Sequence, residues 1–467
     1  MPGSAETMAQ EAPAEPLARR DRAVLWLLAA AIPLVHWRLL PSVGAADLAL
    51  AVAVVVWARR TDLRRLPTVS AVCLASVGAL WLWALIGGVW RAFGSPLPFS
   101  LPEFSRSFLK LSFYLVVATV VSAGLARIDS REVRRAVAAV LTAHAALALL
   151  LYAAMAVDPE AREALGADRP AIDHYYHLRW FGDSSPDAVE SLAFPRARGL
   201  LREPARLGIL HSLGLGLLLL GPRRPPRLGW SHLLIAASVV LSFSLSGYAL
   251  LAAVSGLTAW RWRRDLAELL PPRRRLAAML VAAAALLVVP PVGPTLYHAI
   301  GERAAGLLTG RFDASTKARL ELGLRAGVAI TAQAPVIGAG LGNFDVALEA
   351  LRDRLPRPAL IPPGSQGWNV LAYLAATTGI PGLLLFVAAV SALFHQRPGL
   401  ACVFILSLFA WVGFLTAPFW IFLSLYLTAG AAREAPSRQP PRPDAVGARA
   451  PSPPGLLDPF TARASRG

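Results

Sequence analysis

Charge is scarce in this chain, and lysine is nearly absent. Only 16% of the 467 residues are charged, where a soluble protein carries about a quarter. That shortage argues against a fully soluble enzyme, and the 55% of hydrophobic residues argues against a disordered one. Cysteine is limited to Cys73 and Cys402, each inside an apolar run, so neither a disulfide framework nor a CxxC metal site is available. The sequence also holds no Ser-His-Asp signature and no clustered metal ligands, which removes proteases and metalloenzymes. Lys110 and Lys317 are the only lysines, so the net charge of +17 is almost entirely arginine. On a soluble domain that excess would suggest nucleic acid. Here the arginines alternate with long apolar runs, so they set membrane topology, and no nucleic-acid partner is expected.

What the chain has in quantity is hydrophobic segments. Apolar stretches fall near 24–40, 46–58, 68–90, 107–125, 136–156, 206–220, 229–245, 247–260, 276–292, 370–394, 399–416 and 418–431. A helical span needs roughly 20 mainly apolar residues, so these make about twelve spans, several of them short. The expected fold is all-α and polytopic. Arg19, Arg20 and Arg22 precede the first stretch, but acidic neighbours and the lack of a small-residue cleavage site make it a retained span, not a signal peptide.

Arginines in short loops set the orientation. Arg59, Arg60, Arg64 and Arg65 follow the second span, Arg127, Arg131, Arg134 and Arg135 the fourth, and Arg223, Arg224 and Arg227 the sixth. Arg261, Arg263, Arg264 and the run from Arg273 to Arg275 follow the eighth. Every even-numbered exit is basic, which places both termini in the cytoplasm. The run 229–260 would suit one long helix, yet both its flanks are arginine-rich. Two short spans meeting near Ser244-Leu245-Ser246-Gly247 satisfy the rule, with that turn on the outer side.

This divides the chain into a disordered N-terminus (1–18), N-terminal spans (19–156), a first periplasmic loop (157–205), central spans (206–292), a large periplasmic loop (293–369), C-terminal spans (370–431) and a Pro/Arg-rich tail (432–467). The tail, with Pro436, Pro440, Pro441 and Pro443 among Ala, Ser and Arg, reads as disordered and cytoplasmic. Two loops of such length in a compact protein, with mixed charge and helix-compatible stretches, point to function.

The first loop ends with Arg196, Arg198, Gly199, Arg202, Glu203, Pro204 and Arg206. Pro204 suits a first helical turn because it has no N–H to lose there. Guanidinium groups beside a helix N-terminus make a phosphate site, since fork donors and the helix dipole both favour an anion. The plainer reading is an interfacial cluster on lipid head groups, which the positive-inside rule disfavours on the outer face.

In the second loop, Leu320, Leu324 and Val328 recur at helical spacing, predicting an amphipathic helix over 316–332 lying on the membrane. Glu321 and Arg325, four apart, form a solvated pair, which leaves Arg319 as the better candidate. The turn from Pro335 through Gly338, Gly340 and Gly342 lacks a preceding strand and a Lys-Ser/Thr ending, so it is no P-loop. From Trp368 onward, Asn369 suits a helix cap, Gly379 a helix end and Pro381 the next start. This predicts a broken helix at the outer surface, as a site or a structural kink; such backbone is tolerated only where protein-buried or lining a cavity. Asp173, His174 and His177, beside Tyr175 and Tyr176, read as an interfacial aromatic patch in preference to a metal site. His144 and His211 read as packed histidines making one hydrogen bond.

Arg196–Gly199–Glu203-Pro204, the break at 244–247, Arg319 followed by Pro335…Gly338-x-Gly340-x-Gly342-Asn343-Phe344, and Asn369-x9-Gly379-x-x-Gly382 occur in that order. Together, over about 190–395, they resemble the O-antigen ligase and Wzy-type polysaccharide polymerase family. The resemblance implies a GT-C-like, metal-independent glycosyltransferase of the bacterial inner membrane with a periplasmic active site. Its donor would be a glycan on undecaprenyl pyrophosphate, its acceptor a hydroxyl of a glycan or lipid, its surroundings membrane lipids. Carried over, Arg196 and Arg319 would stabilise the departing pyrophosphate, with Arg202 and Arg206 as secondary contacts and Gly199, Trp368 and Asn369 beside the substrate.

One departure bears on mechanism. Family ligases often carry histidine immediately before the motif asparagine, and this chain has Trp368, which is suited to stacking on a sugar or sitting at the interface. Glu203 is then the expected general base, with Asp345 as the other candidate. The break motif likewise has Ser244-Leu245-Ser246 where the family commonly carries Ser-Arg. A polymerase is therefore preferred over a ligase. The alternative from another class is a lipid-linked glycan flippase, which should line its passage with charged groups inside spans; a non-catalytic scaffold is a third.

Overall fold

Long runs of Leu, Ala and Val, started by Pro or Asp and stopped by Gly or Pro, form helices in this chain. A computed structural model describes residues 18–35, 37–40, 43–59, 61–94, 97–158, 197, 199–201, 204–222, 224–242, 244–265, 323–352, 369–410 and 414–429. Thirteen α-helices lie among the described residues. In chain order they are α1 (Arg19–Ala31), α2 (Ala45–Ala58), α3 (Thr68–Phe93), α4 (Leu101–Leu125), α5 (Ser130–Val157), α6 (Pro204–Leu220) and α7 (Trp230–Leu241). There follow α8 (Leu245–Arg261), α9 (Gly323–Gln333), α10 (Phe344–Ala350), α11 (Val370–Gln396), α12 (Pro398–Ala410) and α13 (Ala417–Ala429). Asp129 caps α5 by accepting from the Arg131 N–H at 2.8 Å, and Pro204 and Pro398 open α6 and α12.

The chain is thus an all-α membrane protein. Four helices, α3, α4, α5 and α11, are long and apolar enough to cross a membrane by length and composition. The others are shorter, and the expected stretch at 276–292 lies outside the described residues, so twelve full spans remain an expectation. Two details depart from the sequence reading. The stretch 24–40 is not one helix: α1 ends at Ala31, and Pro33, two residues on, has no N–H with which to continue the helical hydrogen bonds. A short hairpin follows, pairing β1 (Arg38–Leu40) with β2 (Val43–Gly44). The helix expected over 316–332 is described from Gly323, and it docks on α11 through Gly323, Ala326, Gly327 and Ile330 while Leu324 and Val328 stay exposed. The expected break at 244–247 is present. Helix α7 ends at Leu241 and α8 begins at Leu245, and Ser244 Oγ caps α8 by accepting from the Gly247 N–H at 3.2 Å.

Polar contacts show which helix ends lie together. One shallow cavity is lined by Leu125, Ile128, Ser130, Leu217, Leu425 and Thr428, which gathers the end of α4, the start of α5 and the ends of α6 and α13. The start of α3 joins them, since Ser70 Oγ donates to the Leu427 carbonyl at 3.1 Å. Arg261 donates to the Leu220 and Pro222 carbonyls, capping α6 from the end of α8. Arg59, Arg127, Arg134, Arg224 and Arg261 sit in or next to these turns, so this is the basic end of the bundle. The end of α3 and the starts of α4, α6, α8 and α11 lie at the opposite end.

Helices α6 and α13 form the centre. Every residue of α6 from Leu207 to Leu220 is buried, as is every residue of α13 from Ala417 to Thr428. Where lipid is as apolar as leucine, close packing and interhelical hydrogen bonds hold helices together. Gly208 of α6 lies so near Gly247 of α8 that a methyl group on it would sit 2.8 Å from the Gly247 Cα. Tyr426 Oη donates to the Leu213 carbonyl at 2.7 Å, tying α13 to α6.

Candidate active site

At the end opposite the basic one, α11 breaks at Gly379, whose φ of +73° lies in the left-handed region. Two residues on, Pro381 has no N–H to offer the Thr377 carbonyl. Freed backbone groups find partners in the glycine-rich turn and on α3. The Ile380 N–H donates to the Pro335 carbonyl at 2.8 Å, the Ala339 N–H to Ala376 at 2.8 Å and the Gly340 N–H to Thr377 at 3.0 Å. Trp83 of α3 donates its indole N–H to the Thr378 carbonyl at 2.9 Å. The break is protein-buried, which is the condition for non-helical backbone at such depth. The two backbones approach so closely that any side chain at Gly338 or Gly379 would collide with the facing chain. Gly338→Ala and Gly379→Ala are expected to destabilise the protein by about 2–4 kcal/mol through strain and overpacking. Gly256→Ala on the open side of α8, with nothing within 4 Å, should not; thermal unfolding in detergent checks both.

Arg91 completes this junction. It lies in the last turn of α3, is 4% exposed, and donates through Nε to the Gly338 carbonyl at 2.7 Å. The sequence reading passed over it. The signal that points to it is a lone arginine at an odd-numbered exit, where the positive-inside rule does not ask for one.

The turn then presents a carboxylate site. Asn343 is buried, accepts the Ser100 N–H at 2.6 Å and so pins the turn to the start of α4. The Gly342 N–H donates to Tyr373 Oη at 3.2 Å. Next to them Asp345, on α10, has a buried Oδ1 without a hydrogen-bond partner. Burial, and then the nearby Glu103 carboxylate, push its carboxyl up from 3.8 to about 6. Glu103 faces Arg106 on the exposed side at 3.1 Å. A half-buried, unpaired carboxyl that titrates near neutrality is suited to accepting a proton.

The arginine motif meets the bundle at the same end. Gly199 has a φ of +56°, and a methyl group there would sit 2.6 Å from His144 Nε2. The next residue, Leu200, donates its N–H to that nitrogen at 3.1 Å. Gly199 therefore shapes the turn where a substrate contact was expected. His144 and His211 each make two hydrogen bonds, not the expected one: Nδ1 of His144 meets Nε2 of His211 at 2.8 Å, and Nδ1 of His211 meets Ser238 Oγ at 2.6 Å. Arg206 follows in the first turn of α6, half-buried. Asn369, expected beside the substrate, caps α11, its Oδ1 accepting from Leu371 at 2.9 Å and Ala372 at 3.2 Å. Arg196, Arg202, Glu203, Arg319 and Trp368 lie outside the described residues, as do His174 and His177.

A polytopic helical membrane protein with a broken helix, a docked glycine-rich turn and an arginine-bearing helix start at one end is the class this geometry defines. Residues 207–387 match the family model described as O-antigen ligase. The match takes in α6, the glycine-rich turn and the break in α11, and begins just after Arg206. No curated protein matches the chain.

Proposed function

We propose that the protein transfers a glycan from undecaprenyl pyrophosphate to an acceptor hydroxyl at the outer face of the bacterial inner membrane, with both termini cytoplasmic. It acts as a surface-polysaccharide polymerase in preference to a ligase, since Trp368 replaces the ligase-type histidine. The family match supports glycan transfer of this general kind. The observation that carries the reading is co-location: the glycine-rich turn, the unpaired Asp345 carboxyl and the Arg206-bearing start of α6 share the end opposite the basic one. The positive-inside rule favours a cytoplasmic basic end, which supports a site on the outer side.

In the reaction, Asp345 takes the proton of the acceptor hydroxyl. The oxygen attacks the anomeric carbon, and the bond from that carbon to the pyrophosphate breaks with its electron pair leaving on phosphate oxygen. Arg196 and Arg319 receive that charge as it develops, with Arg202 and Arg206 beside them. Asp345 is preferred to Glu203 as the base on the strength of its buried, unpartnered oxygen. Scission of the pyrophosphate linkage supplies the driving force, so the step needs no nucleotide.

Lipid-linked products in a strain lacking the protein test the reading. Single lipid-linked repeats in the outer leaflet are expected for a lost polymerase, and full-length lipid-linked chains would reassign it as a ligase. Repeats retained in the cytoplasmic leaflet would replace enzyme with flippase.

A further inference from the structure

Four segments distant in sequence meet in one buried chain of hydrogen bonds that the transfer step does not use. The direction of every bond in it is set from one end. An amide N–H can only donate, so the Leu200 N–H makes His144 Nε2 an acceptor. A neutral His144 then carries its proton on Nδ1 and donates to His211 Nε2. His211 in turn carries its proton on Nδ1 and donates to Ser238 Oγ, whose own hydrogen goes to the Ile235 carbonyl at 2.7 Å. Each donor meets one acceptor, and a proton added to either Nε2 would face an existing N–H. His144, His211 and Ser238 are all buried. A buried polar group left without a partner costs about 1–3 kcal/mol, so such a chain persists in an apolar bundle only when complete.

What the chain ends on is the Gly199–Leu200 turn. On the other side of that turn the Ala197 N–H donates to the Leu241 carbonyl at 2.8 Å, and Ala197 and Leu201 are both buried. His211 lies on α6, the helix whose first turn carries Arg206. The chain thus joins α5, α6 and α7 to the turn that leads into the arginine-bearing helix start.

Resting on the glycosyl-transfer reading, we infer that His144, His211 and Ser238 are positioning residues that hold the Gly199–Leu200 turn and the start of α6 in register for transfer. Their removal acts through the placement of Arg206 and its neighbours in sequence, so it lowers turnover without weakening acceptor binding. A misplacement of about 1 Å from such a distant change costs on the order of a hundredfold in rate.

The full-length protein in lipid nanodiscs, with a lipid-pyrophosphate-linked repeat as donor, provides the test. His144→Leu is expected to speed amide exchange across 197–201 and to lower kcat by about ten- to a hundredfold, with the acceptor KM unchanged. His144→Gln, which keeps an acceptor oxygen for the Leu200 N–H, should recover most of both. Should His144→Leu fail to fold, Ser238→Ala, which removes the far end of the chain, is read against His144→Gln in the same way. Unaltered exchange, unaltered kcat, or a rise in KM that accounts for the whole loss would each overturn the inference. Absence of transfer by the wild-type protein from that donor would defeat the proposed function instead, while the exchange comparison still decides whether the chain holds the turn.

Discussion

Asp345→Asn will abolish most glycan transfer while making the protein more stable. The two effects have one origin. Asp345 keeps an oxygen out of water without a partner, and burial and Glu103 raise its carboxyl from 3.8 to about 6. An acid whose pKa rises on folding is disfavoured as the anion. Its neutral form stabilises the fold below the unfolded value, and that contribution is lost as pH rises through the folded value. At pH 7 the carboxylate is therefore a burden, on the order of 2 kcal/mol after discounting for its partial exposure to solvent. Asparagine has nearly the same shape and no charge, so it removes the burden. It also cannot accept a proton, and loss of a general base typically lowers the rate by about 10²–10⁴-fold. The wild-type rate should likewise fall as pH drops below about 6, where Asp345 becomes protonated. Thermal unfolding beside transfer assays across pH 5–8 reads both. A residue that served only packing would lose stability and activity together.

Arg196→Ala and Arg319→Ala are expected to end polymer formation while leaving insertion intact. Removing one donor from developing negative charge typically costs about 10²–10³-fold in turnover, and two phosphates gathering charge at once leave little to compensate. Arg206→Ala, in a secondary role, should lose less. Immunoblots of membrane fractions confirm equal amounts, and polysaccharide gels report the product. Normal polysaccharide from both variants at equal amounts would reject the pyrophosphate role.

Much of this architecture can be read from local signals. The break between α7 and α8 follows from arginines on both flanks of one apolar run, and the kink in α11 follows from Asn369, Gly379 and Pro381, each with its own backbone preference. Features made by distant partners are not legible in this way. Arg91 gains its meaning from Gly338, 247 residues later. His144 and His211 are 67 residues apart, and spacing does not reveal that a backbone N–H would order their protons. The glycines of the 338–342 turn suggest a ligand loop by composition; three-dimensional contacts make them a strip of backbone that closes a broken helix. Leu324 and Val328 were the visible stripe of α9, yet the small residues on its other face do the docking.

The central position of α6 carries a consequence for how the protein is made. This helix is enclosed on all sides, and the hydroxyl of Tyr426 that seals it belongs to a residue 213 positions downstream of its partner Leu213. At a synthesis rate of about 5–20 residues per second, α6 waits on the order of ten to forty seconds for that covering helix. In the interval the face of α6 around Leu213 and Gly216, which Tyr426 covers, lies against lipid or against the insertion machinery. The centre of the bundle is therefore completed from the C-terminal side, once α13 has been released from the ribosome.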